Sequence, residues 1–170
     1  GLVDIISSNK KGVTLHLQTR HEGDHQTDLS RWDVGAENDA GFVQSRAPNE
    51  AAAAMRAPPG FEVDLIAREP LLAQPIAMCF DARGRNWIAE GHTYPVRAPE
   101  GEGRDRIVIL EDTDGDGSFE THKVFAENLN LISGLEVGFG GVWVGAAPYL
   151  LFIPDANADD VPDGDATILL

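Results

Sequence analysis

Cysteine occurs once, as Cys79, so no disulfide can close within the chain and no Cys-x-x-Cys-His site for a c-type haem is present. The thiol lies in the apolar run Ile76-Ala77-Met78-Cys79-Phe80, where a small core side chain is its simplest role. Phosphate-cradling glycine loops and dinucleotide fingerprints are missing too. The sequence has no apolar run of about 18 residues and no signal-peptide pattern, so it shows no transmembrane segment. Basic residues are scarce, 13 Lys and Arg against 28 Asp and Glu, for a net charge of -15. Such a surface repels phosphate backbones and anionic membranes, which argues against nucleic acid as a partner and favours cations.

The acidity is uneven. Residues 1–46 carry five basic and seven acidic side chains, and residues 47–170 carry eight and twenty-one. At 170 residues the chain is long enough for a real core, with globular apolar and charged fractions. It opens on Gly1 and stops at Ile168-Leu169-Leu170 in a strand-like stretch, so a fragment of a longer protein is expected.

Residues 1–46 hold two short alternating stretches, Leu2 to Ile6 and Val13 to Leu17, then a polar segment with Trp32 and Phe42. They form an unassigned segment. Residues 47–59 follow as a short helix and linker, because Pro48 and Glu50 open an Ala run that Pro58-Pro59-Gly60 stops. From residue 60 onward the period is that of strands: Phe61 to Ala67, Ile76 to Phe80, Asn86 to Glu90, Arg106 to Glu111 and His122 to Ala126. A second set covers Gly134 to Phe139, Val142 to Gly145, Leu150 to Pro154 and Ala166 to Leu170, and turn signals such as Asp81-Ala82-Arg83-Gly84 separate the strands.

The two sets overlay. Trp87 matches Trp143 at a spacing of 143 − 87 = 56, and Asp112 matches Asp155 at 155 − 112 = 43. The 13-residue difference is an extra loop around His92 to Arg104 in the first copy. A four-strand unit of about 40 to 45 residues is the size of a propeller blade. An all-β fold follows, with residues 60–170 supplying one and a half to two blades of an incomplete β-propeller; a plain antiparallel sandwich is the alternative.

Asp112-Thr113-Asp114-Gly115-Asp116-Gly117-Ser118-Phe119-Glu120 offers carboxylates at positions one, three, five and nine, the Ser118 carbonyl at seven, and glycine at six. Calcium wants such flexible oxygen ligands. Position twelve is Lys123 and the flanks are strands, so this is a hairpin loop of the same local design as an EF-hand but not one. A solvated Asp/Gly turn is the metal-free alternative. The second copy keeps Asp155, Asn157, Asp159 and Asp163 at the ligand positions but has Asp160 where the turn favours glycine.

The long loop groups an acid, an imidazole, a phenol and a guanidinium as Glu90, His92, Tyr94 and Arg97, immediately after a strand. Loops on rigid scaffolds often carry catalysis, and His92 is the natural proton acceptor. An ordinary polar loop is the alternative. His21-Glu22-Gly23-Asp24-His25 fits the spacing of a zinc hydrolase motif, but Gly23 and Asp24 weaken the helix that motif requires.

Pro58-Pro59-Gly60-Phe61-Glu62-Val63, Arg85-Asn86-Trp87-Ile88-Ala89-Glu90, Tyr94-Pro95, Asp112 to Gly117 and Gly138-Phe139-Gly140-Gly141-Val142-Trp143-Val144 together resemble the planctomycete-type membrane-bound dehydrogenase domain. The resemblance covers about residues 47 to 170. It implies a propeller related to sugar dehydrogenases that use pyrroloquinoline quinone, export to the periplasm or cell envelope, and a c-type cytochrome domain elsewhere in the full protein as electron acceptor. The implied reaction oxidises a sugar or related alcohol, with His92 as base and Arg97 stabilising the developing charge of the quinone. Asn86 departs from the family's apolar residue, a change expected to be harmless, and Asp160 departs from its loop glycine. Two other readings stand beside this one: a non-catalytic calcium-stabilised propeller that binds carbohydrate or protein, and a calcium-dependent lactonase-like hydrolase.

Overall fold

The computed structural model describes residues 4–9, 12–20 and 47–170. Two units follow each other along the chain, dividing between Arg68 and Glu69. In the first, β1 (Asp4–Asn9) and β2 (Gly12–Arg20) pair antiparallel. Next comes α1 (Pro48–Ala53), opened by Pro48 and by the Glu50 carboxylate, which accepts a hydrogen bond from the Ala47 N–H at 3.2 Å. Then β3 (Phe61–Arg68) pairs with β2. This strand, grouped by sequence with the propeller strands, therefore lies in a sheet of order β1-β2-β3. The motif from His21 to His25, together with Trp32 and Phe42, lies outside the described residues.

The second unit is two four-stranded antiparallel blades that do not close into a ring. Blade 1 has the order β4 (Pro75–Phe80), β5 (Asn86–Glu90), β6 (Asp105–Glu111), β7 (Thr121–Leu129). Blade 2 has the order β8 (Ile132–Val137), β9 (Gly141–Ala146), β10 (Tyr149–Pro154), β11 (Thr167–Ile168). Strand β8 ends at Val137 because Phe139 and Gly140 take φ of 56° and 80°, which no strand accommodates.

Registers bear out the internal repeat. Trp87 faces Ile109 across its ladder and Trp143 faces Phe152, and 152 − 109 = 43 is the same offset that relates the Asp-rich loops. The 13-residue difference is confined to one connection. Glu90 pairs with Arg106, leaving 106 − 90 − 1 = 15 residues between them; Tyr149 pairs with Ala146, leaving 149 − 146 − 1 = 2.

Alternation along the strands sends Trp87, Ala89, Ile107, Ile109 and Phe125 of blade 1 against Ile132, Val142, Val144, Ala146 and Ile153 of blade 2. Trp87 meets Phe125 edge-on at 4.9 Å between ring centroids, the geometry ring quadrupoles prefer. Cys79 packs half-buried beside this core. Burial, aided by the nearby Glu136 charge, pushes its thiol up to about 11, so it is no ready nucleophile at neutral pH. Among the described residues no helix is long and apolar enough to cross a membrane.

Candidate functional site

An antiparallel meander sends successive connections to opposite ends of the blade. The β5–β6 loop therefore projects from one end of blade 1, and the β4–β5 turn and Asp-rich β6–β7 hairpin project from the other.

At the first end, β5 places Glu90 fully buried at its last position. Both of its oxygens are engaged. Oε1 accepts the Ala73 N–H at 2.8 Å, while Oε2 meets His92 Nε2 at 3.2 Å and accepts a short hydrogen bond from Arg106 Nε. Arg106 stands opposite Glu90 in the ladder, so the strand register itself pairs the buried charge, as burial of a carboxylate demands. His92 keeps 28 % of its side chain exposed. Because a carboxylate only accepts, the Glu90 contact assigns the proton to Nε2 and leaves the Nδ1 lone pair as the basic site.

The rest of the loop is tied down. Asp105, fully buried, accepts from Thr93 N–H with one oxygen and from Ile132 N–H at 2.8 Å with the other. Asn130 accepts from Ala98 N–H at 3.1 Å and donates to the Ala98 carbonyl at 2.9 Å. Arg97 donates to the carbonyls of Ala147 at 2.7 Å and Asn130 at 3.3 Å, with its guanidinium 5.1 Å from the Tyr149 ring centre. Arg104 holds the His92 carbonyl at 2.9 Å. Tyr94 is 69 % exposed and no side-chain contact draws it to Glu90 or His92. Of the four residues expected to carry chemistry, Glu90 and His92 meet; Tyr94 and Arg97 do not join them.

At the opposite end, Asp112, Asp114, Asp116 and Glu120 bring one carboxylate oxygen each within 4.8 Å of one another. Asp112 receives Gly115 N–H at 2.6 Å and Gly117 N–H at 2.9 Å, and Asp116 receives Ser118 N–H at 2.8 Å. Glu120 folds back to Thr113, accepting its N–H at 2.8 Å and its hydroxyl at 3.0 Å. Gly115 and Gly117 take φ of 78° and 91°, conformations open to glycine. The Gly117 N–H, with its loop neighbours, holds the Asp112 carboxyl below the usual range, which keeps it ionised and available to a cation.

A family model described as a domain of unknown function, DUF7133, matches residues 47–169, well over half of the chain. The chain belongs to this family. No curated protein and no solved structure matches it. Within the DUF7133 domain the two blades serve as each other's control. At the 56 and 43 offsets Glu90 corresponds to Ala146 and Arg106 to Tyr149, so the buried charge pair belongs only to the blade with the long loop. A blade does not need it in order to pack.

Sequence reasoning missed a second charged centre. Asp81, read as part of a turn, accepts from Arg85 Nε at 2.8 Å, Trp87 Nε1 at 3.0 Å, Arg83 N–H at 2.9 Å and Arg85 N–H at 3.0 Å. Arg85, only 4 % exposed, also grips Asp160 of blade 2 through two 2.7 Å bonds. The available signal was the repeat itself, because Gly138 and Gly141 of blade 2 occupy the positions of Asp81 and Arg85.

Proposed function

We propose that the DUF7133 domain contributes the proton-accepting wall of an exported dehydrogenase that oxidises a sugar or related alcohol. The observation that carries this reading is the contact between buried Glu90 and half-exposed His92. Glu90 fixes the tautomer and ring orientation, Nδ1 takes the hydroxyl proton, and the carboxylate 3.2 Å from Nε2 stabilises the imidazolium that results. Arg106, opposite in the ladder, donates to the same Glu90 oxygen and so pairs the buried group with a cation.

Pyrroloquinoline quinone finds no cradle among the described residues. Arg97, the cation expected to stabilise it, is engaged by the Ala147 and Asn130 carbonyls, while Arg104 and Arg106 beside His92 bond the His92 carbonyl and Glu90. The hydride leaving the hydroxyl-bearing carbon of the substrate would go to an acceptor of the quinone class, which would take up both electrons. Calcium suits the Asp112–Glu120 hairpin, whose crowded carboxylates repel one another without a counter-ion. In that role calcium holds a hairpin in place at the end of the blade away from His92. A c-type cytochrome as electron acceptor and a periplasmic or cell-envelope location follow from the family resemblance.

The test is dye-linked oxidation of a sugar and alcohol panel by the intact protein with quinone added. His92→Gln lowers turnover by about a hundredfold or more, Glu90→Gln lowers it and shifts the pH profile, and Tyr94→Phe leaves it near wild type. No dye reduction with any substrate would remove the dehydrogenase reading. One observation favours a second reading, a non-catalytic propeller that binds carbohydrate or protein: Thr93, Arg97, Asp105 and Asn130 all hold the long loop in place. That reading expects ligand binding with no turnover in the same assay.

A further inference from the structure

Backbone geometry makes the two Asp-rich hairpins copies of each other. Thr113 N–H bonds Glu120 in the first, and Ala156 N–H bonds Asp163 at 2.6 Å in the second. Gly117 N–H bonds Asp112 Oδ2, and Asp160 N–H bonds Asp155 Oδ2 at 3.3 Å. The left-handed residues correspond as well, Gly115 and Gly117 to Ala158 and Asp160, whose φ angles are 55° and 65°.

Charge is handled differently in the two. None of the four carboxylates in the first hairpin forms an ion pair with any described residue. In the second, Asn157 replaces an aspartate and its amide donates to Asp159 Oδ2 at 3.0 Å, so the ring of ligand positions satisfies itself. Blade 1 supplies the positive charge. Arg85 takes both oxygens of Asp160, and Arg83 bonds Asp160 and the Ala158 carbonyl, each at 3.2 Å. Lys123 bonds the Asp159 carbonyl at 2.9 Å and lies 3.7 Å from Asp160.

A divalent ion entering the second hairpin would meet three resident cations. A left-handed conformation costs a non-glycine residue about 1–2 kcal/mol, and the second hairpin holds two where the first has glycines. The bidentate, nearly buried pair of Asp160 with Arg85 offsets that strain.

We infer that the hairpin Asp155–Asp163 holds no metal and is instead ordered by Arg85, Arg83 and Lys123 of the preceding blade, with Asp160 as a latch that joins the two blades. Asp155, Asn157, Asp159 and Asp163 are then turn formers rather than ligands. This goes beyond the calcium reading of the first hairpin and does not depend on it.

The decisive variant in the 170-residue chain is Asp160→Gly, which removes the latch but places glycine at a left-handed position. A residue that was merely strained would give a more stable protein on this change. The latch predicts a lower urea midpoint and a folding equilibrium constant reduced about tenfold or more. An unchanged or raised midpoint overturns it. Lys123→Gln and Arg83→Gln, at exposed side chains, should each lower the midpoint more in the wild type than once Asp160 is glycine, where only their bonds to the Asp159 and Ala158 carbonyls remain; equal effects in both backgrounds overturn the latch. Calcium titration should count the same number of bound ions in the wild type and in Asp159→Asn. Loss of one ion in that variant overturns the metal-free assignment.

Discussion

Asn86 opens β5 with its side-chain amide sealed from water, and neither its nitrogen nor its oxygen has a hydrogen-bond partner. An unmatched buried amide costs about 1–3 kcal/mol, so Asn86, expected from the sequence to be harmless, is not. The repeat names the better side chain, because Val142 occupies the matching position of blade 2 and is buried in the shared core. Asn86→Val should raise stability by about 1–3 kcal/mol, read as a higher urea midpoint with an unchanged slope. Nothing in the local sequence betrays this defect. A single Asn in a strand looks the same whether its amide faces solvent or a dry interior.

The β5–β6 loop shows what an element adds to its residues. His92, Tyr94 and Arg97 are close in sequence and looked like one site, but the loop's anchors divide them. Asp105 and Asn130 fix its two arms, and Gly103 lets it lie flat: a Cβ there would stand 2.3 Å from the Leu129 carbonyl oxygen and 2.8 Å from the Asn130 Cβ. Gly103→Ala should cost about 1–3 kcal/mol and open the segment 91–104 to protease cleavage, with the blade strands still protected. Full protection of the loop would show that these anchors do not govern it. The strands were legible from alternation and turn residues, and β5 was read to the residue. The loop's internal order was not, since it depends on Ile132, Ala147 and Tyr149 of another blade.

For the whole unit, the joint between blades combines the apolar core with the charged cluster of Asp81, Arg85 and Asp160. Burial acts to raise the Asp81 carboxyl, but hydrogen bonds from Trp87, Arg85 and Arg83 outweigh it and hold the group below its ordinary value of 3.8. A carboxyl depressed in the folded state adds stability above that ordinary value and loses it as pH falls through the folded one. Stability from Asp81 should therefore be constant across neutral and mildly acidic pH and decline below about pH 3.8. Asp81→Asn should flatten that decline in urea midpoints measured between about pH 2.5 and 6. An equally steep loss in the variant would assign acid sensitivity to other groups.

The sequence by itself determined the all-β class, the two-blade repeat with its 43-residue register, and the position of the insertion. Those features are encoded by local period and by turn residues whose conformational demands act within a few positions. Only the tertiary structure decided which polar groups are free. Glu90 acquired Arg106 across the ladder, Arg97 was drawn to the Ala147 carbonyl of the next blade, and Asp160 met Arg85 from 75 residues away. An ion pair at that separation exists only because blade 2 stacks on blade 1, and no local pattern specifies which charge a stacked neighbour will present. Asp160 thus seemed a flaw in a calcium loop when read along the chain, and in three dimensions it is the contact that joins one blade to the next.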